Sequence, residues 1–510
     1  MKLLLCEMLE WKPGCNDSNG SRIETPAQRG SMKIAITNLR ELLIICATTI
    51  SILALSPSPS LGQTNTVPPA VLSLEDAVNY ALQHYPAVRA SLEQASAARA
   101  SVGLAKTNYL PRADMLWQGN RATRNNMFGL LLPNSVISPI SGPVLSFASN
   151  DSVWGSAAGL LFTWEPIDFG RRGATVSAAR AGQSLANAEV SVTRLDVAVA
   201  VTNAFFTLAA AQQRVTAAKA NLERRQVFAN SVHVLVTNEL RPGADASRAD
   251  AELALARTQL IQAEQAQAVG RVVLADLLVI PDDLVNIDPG SILGSPPNSG
   301  PAASPVASHP FATAEQARVD LIREQEHILE RSYYPRFYFQ STVYGRGSGA
   351  NTDGTTQTGL NGLGLDRSNW AAGLTVTFPA LDIFSIRAQK QIAAANERAE
   401  RARYDQTLDD LTGQLRQAQA ALEGARRVAE NTPIELRAAR DAEMQASARY
   451  KAGLASIVEV AEAQGLLVQA EIDDALARLA VWNNLASVTA AQGDLQPFFQ
   501  FLHQKTPGGL

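Results

Sequence analysis

The sequence is poor in cysteine, with three in 510 residues, at Cys6, Cys15 and Cys46. Beyond residue 46 no disulfide framework, thiol nucleophile or cysteine metal site can be built. Histidine is scarce as well. His84, His233, His309, His327 and His503 fall in no HExxH or other ligand spacing, so the sequence proposes neither a metal nor a cofactor. A lone histidine of this sort sits more often on a surface or at a helix cap than in a catalytic site. No GxxxxGK[ST] segment occurs, which leaves no nucleotide-binding loop to power anything. Charge of one sign is missing too. With 44 basic and 48 acidic residues the formal net charge is −4, and no basic block suggests nucleic acid. Aromatics make up only 6%, and from Gln183 to Arg241 there is neither glycine nor proline. That gap is long enough for a helix of roughly 90 Å.

What is present begins with an export signal. From Met32, Lys33 and Arg40 form a basic segment, Leu42–Leu55 an apolar one, and Ser60-Leu61-Gly62 a small-residue cleavage site. About 14 apolar residues are too few for the ~20 of a spanning helix, so residues 32–62 read as a cleaved signal peptide rather than a short anchor. The exported chain is expected to start near Gln63, with all three cysteines upstream. Ile45 precedes Cys46 where a lipid attachment site needs a small residue, so no lipid anchor is expected. Residues 1–31 read as an over-long start.

The rest of the chain repeats itself. Pro86 and Pro111 recur as Pro310 and Pro335, each shifted by 224 positions. Ala157-Ala158-Gly159-Leu160 recurs as Ala371-Ala372-Gly373-Leu374, and Asp168 as Asp382, at a shift of 214. Ser247-Arg248-Ala249-Asp250 pairs with Ser456-Ile457-Val458-Glu459. Three landmarks in one order predict two halves, 72–280 and 309–495, joined by a Pro/Gly/Ser-rich linker over 281–308 and followed by a tail, 496–510. Each half contains very long helix with a seven-residue seam: Val201, Leu208, Val215 and Leu222 in one, Leu408, Leu411, Leu415, Ala418, Leu422, Ala425 and Ala429 in the other. Each half also contains two strands. Trp370, Ala372, Leu374, Val376 and Phe378 alternate with small or polar residues, as do Ala158, Leu160, Phe162 and Trp164. Ala113–Arg121 and Arg336–Gly345 alternate more loosely, around Met115/Trp117 and Phe337/Phe339. A single alternating strand suits a sandwich core as well as a membrane barrel. Strands of about ten residues with aromatic ends, an apolar face and a polar one fit the barrel, with Trp117, Trp164, Trp370 and Phe378 as membrane-interface aromatics. Four strands cannot close a barrel alone, so several chains must contribute.

On Leu74-Glu75-Asp76-Ala77-Val78, Leu110-Pro111, Pro166-Ile167-Asp168-Phe169-Gly170-Arg171-Arg172, Pro379-Ala380-Leu381-Asp382 and the pair Gly243…Ser247-x-x-Asp250 and Gly453…Ser456-x-x-Glu459, the chain resembles the TolC-like outer-membrane channels. The resemblance covers about residues 72–495. It implies a mainly helical homotrimer: a hollow α-helical barrel in the periplasm, topped by a 12-stranded β-barrel to which each chain gives four strands. It also implies a passive exit duct for small molecules or polypeptides in the cell outer membrane, in contact with its lipid. The duct would dock, through the helix turns at Gly243, Ser247, Gly453 and Ser456, with a periplasmic adaptor and an inner-membrane RND or ABC transporter. A periplasmic coiled-coil scaffold or adaptor without a pore is the rival reading. It explains the helices and the signal, but not four lipid-style strands.

Ser456-x-x-Glu459 is also a capping box, in which Ser456 caps a helix and Glu459 reaches back to its start. Asp250 is expected to serve its own helix likewise after Ser247. By resemblance, Glu459 and Glu462 match the paired acids lining the closed periplasmic entrance, with Glu where the better-known pattern has Asp. In a trimer each would form a ring of three carboxylates, which attracts cations. Capping and pore lining are compatible for Glu459, whereas Glu462 lies past the box. Tyr450 falls where the family has a tyrosine that helps hold the tip shut. Ala455 replaces a basic residue there, and Ala249 an acid unless Asp250 takes its place.

Overall fold

The computed structural model describes residues 71–123, 151–294 and 304–504, apart from 352–354, with three isolated positions, 297, 300 and 302, between the last two stretches. The signal segment and the tail beyond residue 504 lie outside it. Helices α1 (Leu74–His84) and α2 (Pro86–Thr107) lead to strands β1 (Arg112–Thr123) and β2 (Ser152–Ile167). The long helices α3 (Arg171–Thr237) and α4 (Gly243–Leu278) follow. The second half runs α5 (Pro310–Arg331), β3 (Arg336–Ser348), β4 (Arg367–Thr377), α6 (Ile383–Lys451) and α7 (Ile457–Ala491), and α8 (Gln496–Gln504) closes the chain.

The duplication is visible in lengths. Helices α2 and α5 have 22 residues each, α3 and α6 have 67 and 69, and α4 and α7 have 36 and 35. At 1.5 Å per residue the longest pair reaches ~100 Å. Such helices hold only by lying along one another. In α3, Val201, Leu208 and Val215 are buried, and in α6, Leu411, Leu422 and Ala425. Leu408, Leu415, Ala418 and Ala429 are partly buried, so the seven-residue seam marks the packed face of α6. Near the sheet the helices lie side by side in the order α2–α3–α5–α6, and away from it α4–α3–α7–α6. This is one open layer of helices rather than a globule.

Midway along the helices a belt of apolar residues thickens the layer. Trp482, Phe205 and Phe498 are fully buried there, with Trp482 and Phe498 edge to face at 6.1 Å. The linker joins this belt at its start: Val285, Ile287 and Ile292 are buried, and the Leu72 N–H donates to the Asn286 carbonyl at 2.8 Å. Over 281–294 it therefore follows a tight path against the belt.

The four strands form a single antiparallel sheet in the order β1-β2-β3-β4. Among the described residues β1 and β4 pair on one side only. Across the sheet Met115 lies opposite Leu160, Leu160 opposite Val343 and Val343 opposite Trp370. Likewise Trp164 is opposite Phe339 and Phe339 opposite Leu374, so one face of all four strands is apolar.

Candidate functional site

Two regions carry functional geometry, the helix turns at the far end of the layer and the outward face of the sheet. At the first, α7 starts with the capping box the sequence spells. The Ser456 hydroxyl accepts from the Glu459 amide, and the Glu459 carboxylate accepts from the Ser456 amide at 3.2 Å. Arg449 approaches Glu459 at 3.9 Å. Glu462 is exposed one turn later and has no ion-pair partner among the described residues. Because the buried face of α7 is Ile457, Val460, Ala461 and Gln464, both acids point away from the packed layer.

The other turn departs from expectation. Helix α4 starts at Gly243 behind Pro242, not at Ser247, because Pro242 fixes an extended φ and ψ immediately before it. Ser247 is thus inside the helix and Asp250 is no cap. Asp250 instead lies 2.9 Å from His233 across the α3–α4 hairpin. Ala249 is buried in the cluster that joins the two hairpins, with Leu253, Ile457 and Val460. The acid equivalent to Glu459 is Asp245, third in its helix as Glu459 is in α7.

Asp245 and Arg241 complete a site around Tyr450. The Tyr450 ring is 1% exposed, and its hydroxyl donates to Asp245 Oδ2 at 3.0 Å. The Arg241 guanidinium stacks 4.3 Å over the ring while its Nη2 donates to the Tyr450 carbonyl. Phe228 packs beside the ring at a tilt, with ring centroids 5.5 Å apart. Burial, reinforced by the hydrogen bond to Asp245 and its negative charge, pushes the phenol up to about 12. Gly453, in the turn after α6, adopts φ 79°, which favours glycine. Arg225 stitches the hairpins further up, donating to the Ala461 carbonyl at 3.2 Å and lying 3.3 Å from Glu252. Sequence reading missed Asp245 and Arg241, although Asp168→Asp382 and Asp245→Glu459 share one shift of 214 positions. Following that shift past the strands would have found Asp245.

On the sheet the apolar face is open. Trp117 is 75% exposed, Trp370 79% and Phe378 68%, with Met115, Leu160, Val343 and Leu374 exposed between them. From Trp370 to Phe378 the strand path spans about 26 Å at ~3.3 Å per residue. Trp164, partly exposed, donates its indole N–H to the Tyr109 carbonyl at 3.2 Å, beside Phe169 stacked 5.4 Å from Tyr334. The joint below is tied together by Asp168, which pairs with Arg172 at 3.0 Å. Although burial alone would raise it, hydrogen bonds from the Arg172 side chain and the Arg172 and Gly170 amides hold the Asp168 carboxyl below its ordinary value.

Residues 77–278 and 307–494 match the outer membrane efflux protein family, one repeat on each side of the linker. The chain belongs to that family. Among its relatives is Protein CyaE of Bordetella pertussis, 26% identical over 429 residues that cover 83% of this chain and 84% of that protein. The fold is shared with the outer membrane protein VceC of Vibrio cholerae (TM-score 0.65, 18% identity, 82% of this chain and 96% of VceC). It is shared too with the CmeC outer membrane channel of Campylobacter jejuni (TM-score 0.66, 17% identity, 85% and 89% covered). This efflux protein is therefore an outer-membrane protein that has the TolC-like fold of those solved channels. An efflux-family chain with a wide apolar sheet face is not a soluble scaffold.

Proposed function

We propose that three copies of this chain close into one duct, a passive exit from the periplasm driven by an inner-membrane RND or ABC transporter through a periplasmic adaptor. The observation that carries this is the sheet: among the described residues both its edges are unpaired, and one face is apolar. In a bilayer an unpaired strand edge costs several kcal/mol per exposed group, so the edges must meet those of neighbouring chains. The helix layer is open in the same sense. Ile392, Val428 and Ile434 are exposed on α6 at one edge, and Ile261, Val269 and Val272 on α4 at the other. Two different apolar edges favour head-to-tail contacts, which close into a ring.

In that ring Trp117, Trp164, Trp370 and Phe378 lie at the lipid interface. The turns at Gly243, Ser247, Gly453 and Ser456 meet the adaptor. Glu459 and Glu462 form carboxylate rings at the periplasmic constriction, with Tyr450 holding the tip closed. Planar-bilayer conductance tests the reading. Glu459→Gln with Glu462→Gln is expected to lower cation preference and relieve divalent-ion block. Unchanged selectivity would remove the acids from the pore. A wild-type chain that runs as a monomer on unheated gels would remove the trimer.

A further inference from the structure

The face of the sheet opposite the apolar one carries its charges unevenly. At the end nearest the helices each is paired: Arg112 lies 2.9 Å from Asp114, and Arg336 lies 3.2 Å from Glu165. At the outer end Arg346 on β3 is the direct cross-strand partner of Arg367 on β4. Both alternate with outward Val343 and Trp370, so both lie on the inner face. Neither has an ion pair or side-chain hydrogen bond among the described residues. In the same row stand Ala157, opposite Arg346, and Gln118, opposite Ala157, neither of which carries charge. The row below holds Tyr344 and Asn369. Asp366 adjoins Arg367 in sequence, just before β4 begins, yet no ion pair joins it to either arginine among the described residues.

Like charges directly opposite on a sheet destabilise it unless a counter-charge lies between them. Two guanidinium groups side by side also make a forked donor set that fits phosphate or carboxylate oxygens. We propose that Arg346 and Arg367 form an anion-binding ring inside the outer mouth of the barrel, which takes solutes bearing phosphate or carboxylate groups. The inference rests on the three-chain barrel, where two arginines per chain give six at one level. The duct then has opposite preferences at its ends. Carboxylates at the periplasmic tip favour cations, and the outer mouth holds anions, as rings of arginine do in anion pores.

Inorganic phosphate tests this in planar bilayers, added to each side in turn. Wild-type current is expected to be blocked more readily from the barrel side. Arg346→Gln with Arg367→Gln is expected to raise the half-blocking concentration about tenfold, through loss of charge-assisted contacts. Glu459→Gln with Glu462→Gln is expected to leave the block in place. Arg346→Lys with Arg367→Lys keeps the charge but not the fork, so its block is expected to weaken several-fold. That pair also decides the matter if the glutamine pair fails to assemble. Block by phosphate that is equal in wild type and lysine variants, or unchanged in an assembled glutamine variant, overturns the ring. A wild-type current without phosphate block overturns the ring alone, whereas a wild-type trimer that carries no current overturns the channel and the ring together.

Discussion

Tyr450→Phe isolates one hydroxyl at the tip. The substitution keeps the ring, its 4.3 Å stack beneath Arg241 and its 5.5 Å contact with Phe228. It removes only the 3.0 Å hydrogen bond to Asp245. A hydrogen bond to a charged group contributes ~1.5–3 kcal/mol, and the partial exposure of Asp245 puts this one near the lower end, a roughly tenfold change in an equilibrium. Single-channel recording is expected to show the open fraction rising about tenfold at pH 7. Tyr450→Ala, which also empties the ring's pocket, is expected to open the tip much further. The pH dependence follows from the phenol. Its neutral form is favoured in this structure, where burial raises its ionisation from 10.0 to about 12, and on the proposed reading this is the closed tip. Its contribution is therefore complete below pH 10 and lost as pH rises toward 12, by up to ~1.4 kcal/mol per unit. The phenylalanine variant is expected to lack that alkaline transition. Wild-type gating in Tyr450→Phe, or an alkaline transition that survives it, would refute the hydroxyl as a latch.

Two further substitutions test the framework around the site. Ser456→Ala removes one arm of the capping box and is expected to cost about 1 kcal/mol, seen as faster amide exchange in the first turn of α7; unchanged exchange would mean that neighbouring packing alone sets that turn. Gly493→Ala places a Cβ 2.7 Å from Pro310 Cδ, at a residue with φ 89°. A loss of more than about 1 kcal/mol is expected, and an undiminished temperature of heat dissociation on gels would contradict the strain.

How much was legible depended on the range of the physics. Helix, strand and seam were readable because each follows a local period: Leu411, Leu422 and Ala425 fall on the buried face that their spacing predicts. The Ser456–Glu459 box was readable because it spans four residues. The Tyr450 site was legible only in part, since Tyr450 and Asp245 are 205 residues apart in the chain. The Ser247–Asp250 motif misled for a local reason. It has the composition of a cap, but Pro242 had already set the helix start one turn earlier. His309 was read as a lone surface or cap residue. It does cap α5, its ring accepting from the Phe311 amide at 3.2 Å, but it is 3% exposed and its Nε2 also lies 3.3 Å from the Ala490 carbonyl. Burial lowers its pKa, which keeps the ring neutral and able to accept.

The edges of β1 and β4 that are left unpaired among the described residues have a genetic consequence. If neighbours finish the sheet, as proposed, the chain has no private fold to protect it from a defective partner. In the proposed ring of three, one altered copy would spoil a shared wall, a shared tip and a shared mouth. If normal and altered chains were made equally and mixed at random, only about one ring in eight would be wholly normal. Alleles that assemble but do not conduct would therefore behave as dominant, while alleles that fail to fold at all would be recessive.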